Sequence, residues 1–506
     1  MNWKSMRVRF REIHIGLLWV CGILLLAMVG CTVGPNFKAP SASLPGAWTG
    51  AEAASPATIS TAVSEPASLV EWWKSFDDAT LSSLIERAVR SNHDVRQAGA
   101  RIRQARAARG VGSAALWPTI DSSADYSRIG TGSSESGSRG NSGGTGGGGT
   151  SGGTSGSGGT ERNLFQAGLD AAWELDIFGG TRRNVEALSA DLRAAVEDRR
   201  DVLVTLVSEV GINYIDLRGF QQQIAIAGRN LESQRKTAEI TRRRFDAGLV
   251  SGLDVANANA QAATTASQIP VLESTARQTI YNLGVLLGQE PSALLEELDV
   301  EAPIPVTPPR VPVGLPSDLL RRRPDLRRAE AQLHAATARI GVATADLFPK
   351  FSLTGSLSFS AADMGSLANW SSRSWSIGPS VQWPIFDAGR IRWNIKVQNA
   401  LEEQSLITYE KAVLTALKDV ETALVAYAKE QEHYRLLEDA VANNRKAVAL
   451  SMELYTAGQT DFLNVLTAQG SLFASEDDLA QSTRALASNL VALYKALGGG
   501  WETGEP

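Results

Sequence analysis

The sequence is poor in what a disulfide scaffold, a metal site or a bundle of membrane helices requires. Its 506 residues include two cysteines, Cys21 and Cys31, and four histidines, His14, His93, His334 and His433. No histidine has metal-ligand spacing, so neither a metal nor any other cofactor is expected. Cys21 lies in a segment read below as a removable leader, which leaves one thiol and no intrachain disulfide. Beyond the N-terminus no 18-residue apolar run occurs, which excludes membrane-spanning helices but not alternating β-strands. The formal charge is −5, without the basic excess that nucleic acid demands. Gly149-Thr150-Ser151-Gly152-Gly153 fits a nucleophile pattern, but it sits in a glycine tract with no strand-to-helix context. The basic run Arg321–Arg323 reads as a helix start or solvated face. No catalytic constellation emerges, and an enzyme is not expected.

The first 30 residues have the form of a secretory signal. Lys4, Arg7, Arg9 and Arg11 precede an apolar run over residues 15–29, and Gly30-Cys31 follows. A cysteine directly after a small residue predicts lipoprotein processing, with acylation of the Cys31 thiol by palmitate-type chains. Cleavage there removes four basic residues and one acidic one, leaving 45 against 53 and a net charge of −8. Thr32 follows Cys31 where an Asp would favour inner-membrane retention, so outer-membrane lipid is the expected anchor surface.

The remainder repeats itself. Asp94-Val95-Arg96, Gly110-Val111 and Trp117-Pro118 match Asp325-Leu326-Arg327, Gly341-Val342 and Phe348-Pro349 at an offset of 231. Gly168, Trp173, Gly179, Arg182 and Asn184 match Gly378, Trp383, Gly389, Arg392 and Asn394 at an offset of 210, as Ala247-Gly248 matches Ala457-Gly458. The difference falls in a Gly/Ser/Thr tract at 130–160, read as an extracellular loop. This gives an N-terminal extended segment at 31–80, a first repeat at 81–300, a Pro-rich linker at 301–316 and a second repeat at 317–500.

Each repeat contains two stretches of period two. Phe351, Leu353, Leu357 and Phe359 alternate with Ser352, Thr354, Ser356 and Ser358; Trp375, Ile377, Val381 and Trp383 alternate with Ser374, Ser376, Ser380 and Gln382. Such strands suit lipid on one face and water on the other. They are expected near 118–128, 162–178, 349–360 and 374–386. Long helical hairpins are expected over 183–288 and 393–497. Their four-three seam reads Leu203, Val207, Val210, Tyr214, Leu217, Gln221, Ile224, Gly228, Leu231 in one repeat. It recurs as Val413, Leu417, Val420, Leu424, Tyr427, Gln431, Tyr434, Glu438, Val441 in the other. Four strands cannot close a membrane barrel, for which about eight is the minimum. An open edge in lipid leaves amides and carbonyls unpaired, so the chain must assemble with copies of itself. Three copies give twelve strands. The fold class is thus α+β: a trimeric 12-stranded barrel, four strands per chain, with a long α-helical coiled-coil barrel and internal duplication.

Several spaced motifs carry a family likeness: the opening Cys31-Thr32-Val33-Gly34-Pro35-Asn36-Phe37, then Trp72-Trp73-Lys74-Ser75-Phe76-Asp77-Asp78. The most specific is Arg322-Arg323-Pro324-Asp325-Leu326 with Ala329-Glu330, running to Leu347-Phe348-Pro349. Over essentially the whole mature chain it resembles the outer-membrane factor lipoproteins, the TolC-like, NodT-type channels of tripartite efflux pumps. The resemblance implies a homotrimer in the outer membrane of a Gram-negative bacterium, its helical barrel in the periplasm. It also implies two partners, a periplasmic adaptor (membrane-fusion) protein and an inner-membrane transporter of the RND type, and passive conduction of drugs or other small solutes. The hairpin tips, with Gly248, Leu249, Gly458 and Gln459, would contact the adaptor. Asp254 and Tyr455 match latch positions joined across the two hairpins, the alternative being that Asp254 caps its own helix while Tyr455 merely packs, and Leu463 matches a hydrophobic gate. Asn464 and Thr467 stand where an acidic aperture ring is expected, and no basic latch residue stands near Thr460. A duct for type I protein secretion and a structural coiled-coil lipoprotein are the alternatives; the Cys-Thr-Val-Gly-Pro opening favours the pump type.

Overall fold

The computed structural model describes residues 32–41, 45–49, 61–63, 69–131, 160–308, 310–312 and 316–502. The signal segment, Cys31 and most of the Gly/Ser tract lie outside these residues. Seven helices dominate: α1 (Ala79–Ser91), α2 (His93–Ala114), α3 (Gly180–Asp246), α4 (Gly252–Leu286), α5 (Pro324–Ala345), α6 (Arg390–Thr456) and α7 (Phe462–Ala496). Four long strands accompany them: β1 (Thr119–Thr131), β2 (Thr160–Leu175), β3 (Lys350–Ala361) and β4 (Arg373–Gln382). The duplication is visible in the lengths. α2 and α5 each have 22 residues, α3 and α6 have 67, and α4 and α7 have 35. At 1.5 Å per residue the longest helices extend about 100 Å.

The chain divides into two compact units, one of residues 1–36, 108–188 and 337–399, the other of the remainder. The first holds the sheet, whose order is β1-β2-β3-β4, antiparallel throughout. Each repeat ends its sheet the same way: Trp173 Nε1 donates to the Leu116 carbonyl at 3.0 Å, and Trp383 Nε1 to the Leu347 carbonyl at 3.1 Å. β4 stops at Gln382, short of the expected 386, because Pro384 has no N–H to continue a ladder. The strand-to-helix turns are also shared. Gly179 and Gly389 take φ of 80° and 84°, which a side chain resists. Asp176 then accepts from the Thr181 and Arg182 amides at the start of α3, as Asp387 does from Gly389 and Ile391 at α6.

The second unit has its own core. Trp72, Trp73 and Phe76 form a 3₁₀ turn buried with α1, α3, α6 and α7; Trp72 stacks on Tyr494 at 5.3 Å between ring centres. The segment expected to be extended to residue 80 therefore ends in a docked aromatic turn. Asp78 explains the transition, capping α1 through the Leu81 amide at 2.9 Å while accepting from the Tyr214 hydroxyl at 2.8 Å. Burial pushes the Tyr214 phenol above its ordinary pKa. A short parallel pair, Thr61–Val63 with Arg310–Pro312, joins the N-terminal segment to the Pro-rich linker. Along the seam every position is wholly or partly buried except Glu438, which stands exposed and accepts from Tyr434 at 3.1 Å.

Candidate functional site

Two places carry the features that a conduit uses: the faces of the sheet and the tips of the hairpins. On the sheet, strand alternation sorts side chains by chemistry. One face gathers Ile120, Tyr126, Phe165, Leu169, Trp173, Leu353, Leu357, Trp375, Ile377 and Val381. Ile120, Trp375 and Ile377 are about 70% exposed, an area no single water-soluble sheet would leave bare. The other face is hydroxyl-rich. Ser352–Ser380, Ser356–Ser376 and Ser358–Ser374 bond across the strands at 2.7, 2.8 and 2.7 Å. The same face carries Asp121, Asp125, Asp170 and Glu174 against Arg162 and Lys350, and Asp121 stands directly opposite Asp170. Like charges so paired repel, which only a wet surface tolerates.

At the first tip α3 ends in a left-handed residue, Gly248 with φ 74°, and the Leu249 amide returns to the Arg244 carbonyl at 2.8 Å. Ser251 and Asp254 then open α4 with a capping box: the Ser251 amide and hydroxyl both donate to Asp254 Oδ2 at 3.0 Å. The second tip repeats this with Gly458 at φ 77° and the Gln459 amide on the Leu454 carbonyl at 2.8 Å. There Asp461 and Asn464 occupy the capping positions without a reciprocal box, and Asn464 donates instead to Thr460 at 2.6 Å. Leu249, Leu253 and Leu463 are exposed. Thr467 is exposed as well and donates to the Leu463 carbonyl.

The expected bond between Asp254 and Tyr455 is not formed. Asp254 is consumed by its own helix start, because Ser251 lies three residues before it and offers two donors. Tyr455 turns inward, 1% exposed, into a small core with Ala238, Ala258, Phe462 and Val465, and its hydroxyl meets Thr241 at 3.4 Å. What joins the hairpins is Arg244, which the sequence reading passed over. Its guanidinium lies over the Tyr455 ring at 4.5 Å and donates to the Tyr455 carbonyl and, at 3.3 Å, to that of Thr456. A second link runs from Gln469 to Thr237 at 2.8 Å. Only the cross-helix register reveals Arg244: within 242–244 three arginines look alike in sequence, and its counterpart in the other repeat is Leu454. A basic residue thus stands at the tip on the first hairpin and contacts the second, whereas none stands near Thr460.

Comparison with known proteins concerns the chain as a whole. The model of a family described as outer membrane efflux protein matches residues 84–289 and 315–499. Nodulation protein T of Rhizobium leguminosarum bv. trifolii is 32% identical over 478 residues, covering 94% of this chain and 96% of the relative. The pyoverdine export outer membrane protein OpmQ of Pseudomonas aeruginosa is also 32% identical, with 97% of each chain covered. Among solved structures, the outer-membrane channel OprN superposes with a TM-score of 0.82 at 35% identity, covering 93% of this chain and all of that one.

Proposed function

Because the chain belongs to the outer membrane efflux protein family, as an outer-membrane exit channel of tripartite efflux systems, we propose that it conducts small organic solutes passively and catalyses no reaction. Choice of solute and energy come from an inner-membrane transporter of the RND type, reached through a periplasmic adaptor that seats on the hairpin tips at Gly248, Leu249, Gly458 and Gln459. The observation that carries this reading is the two-faced sheet, whose edges at β1 and β4 have no partner among the described residues. An apolar exterior with a hydroxyl and carboxylate interior suits lipid outside and hydrated solutes within. Export of small molecules has a parallel in the relative named for pyoverdine export. Cys31 carries the lipid anchor, which adds to the hold of the strands, since a single acyl chain binds a membrane only marginally. At the tips Arg244 ties one hairpin to the other, and Leu463 narrows the opening as an apolar ring.

Deleting the gene in its host tests the assignment. Accumulation of a fluorescent pump substrate such as ethidium should rise and return to normal when the gene is restored, and mass spectrometry of the restored protein should find Cys31 acylated. Unchanged accumulation of every small solute tried, with loss of a secreted protein from the medium, would point to a protein-secretion duct instead.

A further inference from the structure

The apolar face of the sheet carries few charges, and all of them stand at one end. Strand alternation puts Arg128 of β1, Glu161 of β2 and Arg373 of β4 on that face, and no other charged residue of the four strands shares it. All three lie at the loop end of the strands, away from the helices. Arg128 and Glu161 form an ion pair. Arg373 has no ion pair among the described residues, and its guanidinium donates to none of them.

An unneutralised arginine on a lipid-facing surface is costly in hydrocarbon and tolerated at headgroup depth. The length of β4 fits the second. From Arg373 to Trp383, at the helix end of the sheet, the chain runs about 34 Å along the strand, or about 26 Å across the membrane at a tilt of about 40°. That is close to the height of an apolar band, about 25 Å. Arg373 therefore stands where hydrocarbon gives way to the headgroups of the outer leaflet.

The loop before it is braced. Asp363 accepts from the Ser366 amide at 2.9 Å and from its hydroxyl at 2.7 Å, and the Ser372 hydroxyl donates to the Ser366 carbonyl at 2.8 Å. A 3₁₀ turn, Trp370–Ser372, then sets the Trp370 ring over the Arg373 guanidinium, 3.3 Å from ring centre to Cζ. Stacking orients the guanidinium and leaves its donors for a ligand, while Trp370 stays 73% exposed. A guanidinium presents paired donors that match a phosphate, and an open indole face suits the C–H face of a sugar ring. The first repeat has no such pair: 210 residues earlier stand Thr160 and Asn163. We propose that Trp370 and Arg373 bind the phosphorylated sugar headgroup of an outer-leaflet glycolipid, the guanidinium on the phosphate and the indole on the sugar. The site rests on the outer-membrane reading above and adds a lipid ligand to it.

Purified full-length protein in detergent, titrated with diphosphorylated lipid A and weighed intact by native mass spectrometry, tests the site. Wild type should retain lipid A at concentrations where phosphatidylglycerol is lost, and lipid A stripped of its phosphates should bind several-fold more weakly. Arg373→Gln and Trp370→Ala should each lower retention several-fold, whereas Arg128→Gln, which alters a charge already paired, should bind as wild type does. Equal retention by Arg373→Gln and wild type overturns the site. So does equal retention of phosphatidylglycerol, or an equal loss in Arg128→Gln, since either would leave only a nonspecific charged rim. A smaller native mass for Arg373→Gln with lipid A retained per copy would assign Arg373 to contact between copies and overturn the site as well. Wild type that fails to insert into lipid vesicles overturns the outer-membrane reading; wild type that inserts but does not retain lipid A overturns the site alone.

Discussion

At the tip Asp254 serves its own helix start, one of the two roles its position in the sequence offers, whereas Arg244 reaches across in a way that position does not reveal. Asp254 is held by three hydrogen bonds with Ser251, all within one helical turn. Replacing it with Ala should cost about 0.5–1.5 kcal/mol, as the loss of the hydrogen bond it returns to the Ser251 cap, and should leave conductance near that of wild type. Arg244 reaches across to the other hairpin, with a ring contact worth about 0.5–2 kcal/mol and charged donors to carbonyls worth about 1.5–3 kcal/mol. Arg244→Ala should therefore loosen the tip and raise open probability in planar bilayers, with Leu463→Ser raising it further. If Asp254→Ala opens the channel and Arg244→Ala does not, the assignment is reversed. The motif positions were legible in sequence because each repeat carries the same Ala-Gly turn and a capping site three residues beyond it. The partner of Tyr455 was not, since it depends on how two helices 210 residues apart are registered.

At the scale of elements, the period-two and four-three patterns located strands and helices because each has one buried or lipid-facing side. The seam reading found one face of α3 and missed the other. A helix flanked on two sides buries Val204, Ile215 and Ile226 as well as its seam, and a pattern matched to one neighbour registers only one stripe. Equally illegible was the docking of Trp72, Trp73 and Phe76, which looked like extended chain since five residues cannot declare a 3₁₀ turn. The strand-to-helix turns were clearer, marked by a glycine at equivalent places. Gly179 needs its positive φ, and a Cβ there would come within 2.8 Å of Thr32. Gly179→Ala should cost about 1–3 kcal/mol from backbone strain, seen as a lower melting temperature of the assembled protein. A melting temperature equal to wild type would mean that the turn relaxes without strain.

For the whole molecule, the chain alone is incomplete: β1 and β4 each lack a partner on one side among the described residues, and the apolar sheet surface needs lipid. Assembly with further copies pairs the strands, and the outer membrane supplies the lipid. Assembly also encloses the polar sheet face, on which four carboxylates outnumber two basic residues in each copy. A water-filled passage so lined concentrates cations and repels anions. The central claim is that copies of this chain form a conducting duct, and a single-channel recording of the purified protein under a salt gradient tests it most directly. Discrete conductance steps are predicted, with a reversal potential displaced toward the cation equilibrium potential and a higher open probability in Arg244→Ala. A protein of trimeric mass, inserted in the bilayer, that conducts in neither wild-type nor Arg244→Ala form would contradict the account.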